Sequence, residues 1–460
     1  MNRNHVDLGN GSVGKLLFSL ALPTITSQLV NMLYNIVDRV YIGRIAPVET
    51  AGKLALTGVG VCMPLIMLIT AFSALMSAGG APLASIQEGR GNSREAERIM
   101  GNALTMLLVV SAVLTAVFLV FGRSLLLMFG ASENTIGYAT DYMRIYALGT
   151  VFVQVTLGMN AYITAQGFTT TSMKTVLIGA GLNTILDPIF IFVLGMGVRG
   201  AALATVISQA VSALWVMRFL LGKKTRWALR RKNFRLRAEI VKPCLALGSS
   251  TFIMQLTESL IAVCFNASLL QYGGDIAVGA MTVLTSIMGF ALMPLQGLAQ
   301  GAQPIVSYNF GAGKAQRVRA AFKILLISCF GYSMAIWLLA ELFPGVFIGI
   351  FTPDVALRTY ASWALRIYMG AIGVFGIQVA CQQTFVALGN AKCSLFLAVF
   401  RKIILLIPLI YILPNFFADK AFAVFLAEPV ADFLAVCTTA TMFYFQFRKT
   451  MGTLEGSKNV

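Results

Sequence analysis

Gln28, Asn31, Asn35 and Asp38 follow one another at spacings of three, four and three residues inside an otherwise apolar run. That spacing lays all four along one face of a helix, with Tyr34 at its border. Further on, Asn183 and Asp187 stand one helical turn apart, with Pro188 next, and Thr205 lies in the following apolar run. Two neighbouring carboxylates in a low dielectric cannot both stay ionised cheaply, so one keeps a proton or the pair shares a cation. Carboxylate, amide and hydroxyl oxygens suit a hard cation such as Na+, and the same carboxylates suit H+. Ion binding is the chemistry these residues could do.

The second half of the chain is richer in amides. Thr251, Gln255 and Glu258 form one stripe, Gln296, Gln300 and Gln303 another, and Gln378 and Gln382 a third. A charge at the centre of a bilayer costs at least about 2.5–3.5 kcal/mol, so each acid in an apolar run is a candidate functional group. Arg39, although adjacent to Asp38, points about 100° away on a helix and does not pair with it. Arg401 and Lys402 interrupt another apolar run; they are expected to snorkel or to pair with Glu428 or Asp432.

Other chemistries find no support. His5 is the only histidine and lies in the N-terminal tail, so neither histidine catalysis nor a histidine metal site is expected. The seven cysteines are scattered singly without CxxC spacing and read as small buried hydrophobes. Residues 195–200 satisfy GxGxxG, but the flanking segments are too long for strands and no acid follows about 20 positions on, so they read as a turn between helices. Gly313-Lys314 lacks the remaining residues of a phosphate loop. With no ATP site and no catalytic constellation, the chain is not expected to be an enzyme or to carry a cofactor, and any energy must come from an ion gradient.

The elements that hold these residues follow from composition. Of 460 residues, 58% are hydrophobic and 12% charged, against about 25% charged in a soluble protein. Lipid as solvent accounts for the gap, each span needing about 20 apolar residues. Helices are expected at 14–43, 54–87, 96–122, 134–165, 171–194, 199–222, 242–272, 276–308, 316–344, 354–388, 391–415 and 421–447. The first run is too long for a signal peptide. The net charge of +17 is concentrated in loops, above all between Lys223 and Lys242. Basic loops at alternate ends put both termini in the cytoplasm. Anionic lipid headgroups are a fitting partner for such loops; nucleic acid is not, because no folded module surrounds them.

The chain also repeats itself. At an offset of 222 residues, Pro82 meets Pro304, Ser85 meets Ser307, Gly89 and Gly91 meet Gly311 and Gly313, and Arg144-Ile145-Tyr146 meets Arg366-Ile367-Tyr368. The expectation is an all-α polytopic membrane protein: about twelve transmembrane helices in two pseudo-symmetric six-helix bundles. The domains would be 1–222, a basic cytoplasmic linker 223–241, and 242–460. Parallel repeats of this kind in transporters place the substrate site between the halves.

Pro23 to Asp38 with Gly43, the string Asn183-Thr184-Ile185-Leu186-Asp187-Pro188-Ile189, and Gly200-Ala201-Ala202-Leu203-Ala204-Thr205 resemble the multidrug and toxin extrusion (MATE) family over nearly the whole chain, and its bacterial DinF/MepA-like branch most. The resemblance implies a rocker-switch antiporter of the cell membrane with a central cleft. It implies a cation site, for H+ or Na+, at Asp38, Asn183, Asp187 and Thr205 with Tyr34 close by. Gln28, Asn31, Asn35, Gln255, Glu258, Gln296, Gln300, Gln378 and Gln382 would line the cleft. A second cation site known in another branch matches Glu258, but the acid that branch carries on helix 10 is missing here. Implied partners are amphipathic, mainly cationic drug-like compounds and membrane lipids, with the protein a monomer. Three alternatives fit less well. A lipid-linked oligosaccharide flippase of the same superfamily would carry basic residues in the cleft. A major-facilitator transporter would need a different loop from Glu88-Gly89-Arg90-Gly91. An intramembrane enzyme would need a catalytic motif.

Overall fold

The structure, a computed structural model, describes residues 7–45 and 51–456; His5 lies outside them. No strand occurs among these residues. In lipid every backbone polar group must be satisfied within its own segment, and helices do this. They are α1 (Val13–Gly43), α2 (Lys53–Gly89), α3 (Ser93–Met128), α4 (Ile136–Leu148), α5 (Thr150–Ala165), α6 (Thr169–Pro188), α7 (Gly197–Leu220), α8 (Ala238–Gly311) and α9 (Ala315–Leu342). The short α10 (Pro344–Gly349), α11 (Val355–Tyr368), α12 (Ile372–Ala387), α13 (Ala391–Val399), α14 (Ile407–Ile412) and α15 (Lys420–Gly456) complete the chain.

Nine helices among the described residues are long and apolar enough to cross a membrane, or eleven when the bent pairs α4–α5 and α11–α12 each count as one span. One of the nine, α8, has 74 residues. At 1.5 Å per residue it would run about 110 Å, against a hydrocarbon core of about 30 Å. It is broken at Gly274, whose φ of +67° and ψ of −165° leave the helical region; only glycine takes such a conformation readily. The break makes two spans of one and brings the count to the expected twelve.

The sequence repeat is written into the hydrogen bonds. Ser85 Oγ donates to the Ala165 carbonyl (2.9 Å), and 222 residues on Ser307 Oγ donates to the Ala387 carbonyl (2.7 Å). Asn160 Nδ2 donates to the Ser172 carbonyl (3.3 Å), and at the same offset Gln382 Nε2 donates to the Ser394 carbonyl (3.0 Å). The bends repeat as well, 57° between α4 and α5 and 48° between α11 and α12. In sequence each bent pair is one apolar run, expected as a single helix over 134–165 and over 354–388. Gly91 and Gly313 both have positive φ, +79° and +69°, at the turns into α3 and α9.

The chain forms two compact units: Thr26–Gly248 in one, and Leu8–Ile25 with Ser249–Val460 in the other. The first unit is built around Met76, Leu107, Tyr162 and Trp227 towards one end and Cys62, Ile69, Phe118 and Tyr142 towards the other. In the second, Phe265, Leu284, Leu365 and Phe425 are buried together. Small residues let helix backbones come close. In the first unit a Cβ on Gly79 would collide with the Cys244 carbonyl, and one on Gly248 with that of Leu75. In the second, Gly301 and Gly297 press in the same way against the backbone of Ala21 and Ile25.

The basic segment after α7 is a docked structure in the first unit. Trp227 is fully buried and its Nε1 donates to Glu88 Oε2 at 3.1 Å. Gln166 Oε1 accepts from the Thr225 hydroxyl and from the backbone N–H groups of Arg226 and Trp227. Glu97 accepts from the Ala228 N–H and pairs with Arg230. The net basic charge hides a tryptophan and the acids of α2 and α3 that receive it.

Candidate functional site

In the first unit α1, α6 and α7 bring the predicted ion-binding residues together. Asn183 and Asp187 share a face of α6 because they are one turn apart. After Pro188 the helix widens into a π-helical turn over Ile189–Val193, an irregularity often found at functional sites. Pro188 has no N–H to continue the ladder. The chain then turns through Gly195 and Gly197, both at positive φ, into α7; this is the GxGxxG segment, and it is a tight turn.

Asn183 Nδ2 donates to Asp187 Oδ1 at 3.2 Å and lies 3.3 Å from Thr205 Oγ1 on α7. The Thr205 hydroxyl itself donates to the Ala201 carbonyl at 3.0 Å, so it meets Asn183 with a lone pair. Asp38 approaches the same place from α1, within electrostatic reach of Asp187. All four residues are buried. Three oxygens in the group have no protein partner: Asp38 Oδ1, Asp187 Oδ2 and Asn183 Oδ1. Arg39, by contrast, is exposed, with Nη2 3.6 Å from Met63 Sδ.

Tyr34 lies within electrostatic reach of both acids. Tyr142 and Tyr146 of α4, stacked at 5.9 Å, lie within reach of Asp38. Neither was singled out from sequence, although Tyr146 closes the repeated Arg-Ile-Tyr tripeptide and could have been found there. A cavity of about 40 Å³ is bordered by Asn31, Tyr34, Asn183, Thr205, Ser208 and Gln209 among others. It has room for a small ion or a water or two. Beside it, sharing Tyr34 and Ala180, an open apolar groove of about 450 Å³ runs between α1 and α6 along Val30, Leu33, Val37, Leu177 and Ile185.

The residues expected to line a substrate cleft fall into both units. In the first, Gln28 is half-buried, while Asn31 and Asn35 are exposed and Asn35 Nδ2 donates to the Asn31 carbonyl. In the second, Gln255 and Gln300 are half-buried and Gln296 is exposed. Gln378 is buried, and the Gln382 amide is committed to the Ser394 carbonyl and hydroxyl.

Glu258 is more than half exposed, yet it is ion-paired with the buried ammonium of Lys402. Its neighbour Arg401 points elsewhere: Nε donates to Asp432 Oδ1 at 2.6 Å and Nη2 to Glu428 Oε1 at 3.2 Å. The expected partners of Arg401 are therefore present, while Lys402 takes a different acid. Consecutive residues diverge around a helix and cannot meet the same partner equally.

The MatE family profile matches residues 23–189 and 251–412. The multidrug export protein MepA of Staphylococcus haemolyticus (strain JCSC1435) is 24% identical over 430 residues, 92% of this chain and 93% of its own. MepA of Staphylococcus aureus (strain N315) is 23% identical over 446 residues, 96% of each chain. Among solved structures, a MATE protein in the bent conformation superimposes with a TM-score of 0.90 at 23% identity, over 97% of this chain and 98% of that one. A transporter of the MOP superfamily from Pyrococcus furiosus, for which reverse polarity of the binding pocket suggests a different function, gives 0.88 at 23% identity, over 97% and 98%. The profile spans both repeats and the fold agrees over almost the whole chain: this multi-pass membrane protein belongs to the MatE family of multidrug-efflux transporters.

Proposed function

We propose that the chain is a cation-coupled antiporter of the plasma membrane that exports amphipathic, cationic organic compounds. The observation that carries this reading is the buried group of Asp38, Asp187, Asn183 and Thr205, three of whose oxygens have no protein partner. Buried acceptors without partners are costly, and a bound H+ or Na+ relieves that cost. Binding of the ion changes how α1 is held against α6 and α7. Cargo and ion then alternate as the units rock between inward-open and outward-open states, with both termini on the cytoplasmic side.

The apolar groove between α1 and α6 supports an amphipathic cargo. Its volume falls within the usual range of about 300–1,000 Å³ for small-molecule sites. The relatives named multidrug export proteins support the same class of cargo. Arg401 and Lys402 are the observation that favours a second reading, a flippase for an anionic lipid-linked substrate. Each of them is already matched by acid, so the antiporter is preferred.

The test is efflux of a fluorescent organic cation from proteoliposomes under an imposed pH or Na+ gradient. Transport driven by either gradient names the ion. Asp38→Asn and Asp187→Asn, folded and reconstituted, are expected to abolish uphill efflux. Wild-type rates in both variants would overturn the assignment of the ion site. No transport under either gradient would shift the reading to the flippase.

A further inference from the structure

Tyr146 and Tyr368 occupy the same place in the two repeats. Tyr146 lies within electrostatic reach of Asp38 and Tyr34 in the first unit. Tyr368 lies within reach of Glu428, Glu258, Asp432 and Arg401 in the second. The repeat therefore marks one location twice. In the first unit it holds acids with uncommitted oxygens. In the second it holds acids whose cations belong to the chain.

The second location is assembled from four elements. Glu258 comes from α8 and Phe375 from α12. Arg401 and Lys402 come from the π-helical segment Phe400–Leu406, and Glu428 and Asp432 from α15. Arg401 is held from three sides, by both acids and by Phe375, whose ring centroid lies 4.5 Å from the guanidinium. Lys402 is ion-paired with Glu258. Its side chain is 5% exposed, while that of its partner Glu258 is 57% exposed. The pair is thus a buried cation tethered to an exposed carboxylate. Lys402 is also within electrostatic reach of Glu428, so its ammonium has a second acid to turn to. Lysine suits such a switch, being a point charge on a flexible stem.

We propose that Arg401 and Lys402 replace an exchangeable ion in the second unit, and that Lys402 is a tethered competitor for Glu258: an organic cation binds Glu258 by displacing the ammonium towards Glu428. The ligand is a monovalent cation with an apolar body. This rests on the cationic cargo of the antiporter reading and adds the group that receives its charge. It also gives the two units different tasks. One exchanges an inorganic ion, and the other exchanges cargo against a side chain.

The experiment is equilibrium binding of tetraphenylphosphonium to the full chain in nanodiscs, with thermal melting to establish folding. Lys402→Gln removes the competitor and is expected to tighten binding by about five- to tenfold. Glu258→Gln is expected to weaken it by at least that factor. Lys402→Arg keeps the charge in a fork that grips a carboxylate in two places, and is expected to weaken binding while the protein melts as the wild type does. Should Lys402→Gln fail to fold, Lys402→Arg decides alone. Weaker or unchanged binding in folded Lys402→Gln, or unchanged or tighter binding in Lys402→Arg, overturns the proposal. Failure of all four proteins to bind the probe overturns it too. The expected ranking in a protein that ignores both gradients supports the proposal and overturns the antiporter instead.

Discussion

The amide nitrogen of Asn183 lies between the carboxylate of Asp187, at 3.2 Å, and the hydroxyl of Thr205, at 3.3 Å. One side chain thereby fixes the carboxylate on α6 against the hydroxyl on α7. Asn183→Leu keeps the bulk and removes the donor. Losing a buried partner costs about 1–3 kcal/mol, read as a lower melting temperature. Gradient-driven efflux is expected to fall by at least tenfold, because Asp187 loses its orientation. Wild-type efflux in this variant would show that Asn183 does not position the ion site.

Arg401 tests the energetics of the second unit. Removing one partner of a buried ion pair costs about 3–5 kcal/mol, since the other charge stays behind. Arg401→Met leaves Glu428 and Asp432 buried together and should lower the melting temperature sharply. Adding Glu428→Gln and Asp432→Asn should restore most of the loss, because replacing a whole ion network by neutral groups is close to neutral. A triple variant as unstable as the single one would mean that packing around Arg401 matters more than its charge.

Glycine contacts make a paired prediction within α2. A Cβ on Gly79 would overlap the Cys244 carbonyl, whereas one on Gly60 meets nothing within 4 Å. Overpacking costs about 1–3 kcal/mol, so Gly79→Ala should lower the melting temperature and Gly60→Ala should leave it unchanged. Equal melting of the two variants would contradict the close approach.

The docked linker predicts protease behaviour. Trp227→Ala removes a fully buried ring and its bond to Glu88, at a cost of about 3–5 kcal/mol. Despite its many Lys and Arg residues, the wild-type segment should resist trypsin, and the variant should be cut between Lys223 and Lys242. Rapid cleavage of the wild type would show that the segment does not stay docked.

Much of this was legible in the sequence, for identifiable reasons. Apolar length sets the spans, and the offset of 222 residues exposes the duplication because it preserves turn glycines and the Arg-Ile-Tyr tripeptide. The stripe ending at Asp38 is visible because helical periodicity is local. What escaped depends on distant partners. Lys402 meets Glu258 across 144 residues, and Trp227 meets Glu88 across 139. Composition made 223–241 a basic cytoplasmic linker, although a tryptophan amid so many bases was a sign of docking. The bend between α11 and α12 left no mark because hydropathy is continuous across it.

The division of α1 between the units bears on how the protein is made. Thr24 Oγ1 donates to the Gly297 carbonyl, 273 residues further on, and Leu8–Ile25 belongs with the second unit. A segment synthesised early thus waits in the translocon or the bilayer until most of the chain has been inserted. The first unit, conversely, is complete only once Gly248 has emerged. Cutting the gene at the linker would therefore separate each half from a helix end it needs. The two halves should assemble only when co-expressed, and a folding defect in one should send both to quality-control proteolysis.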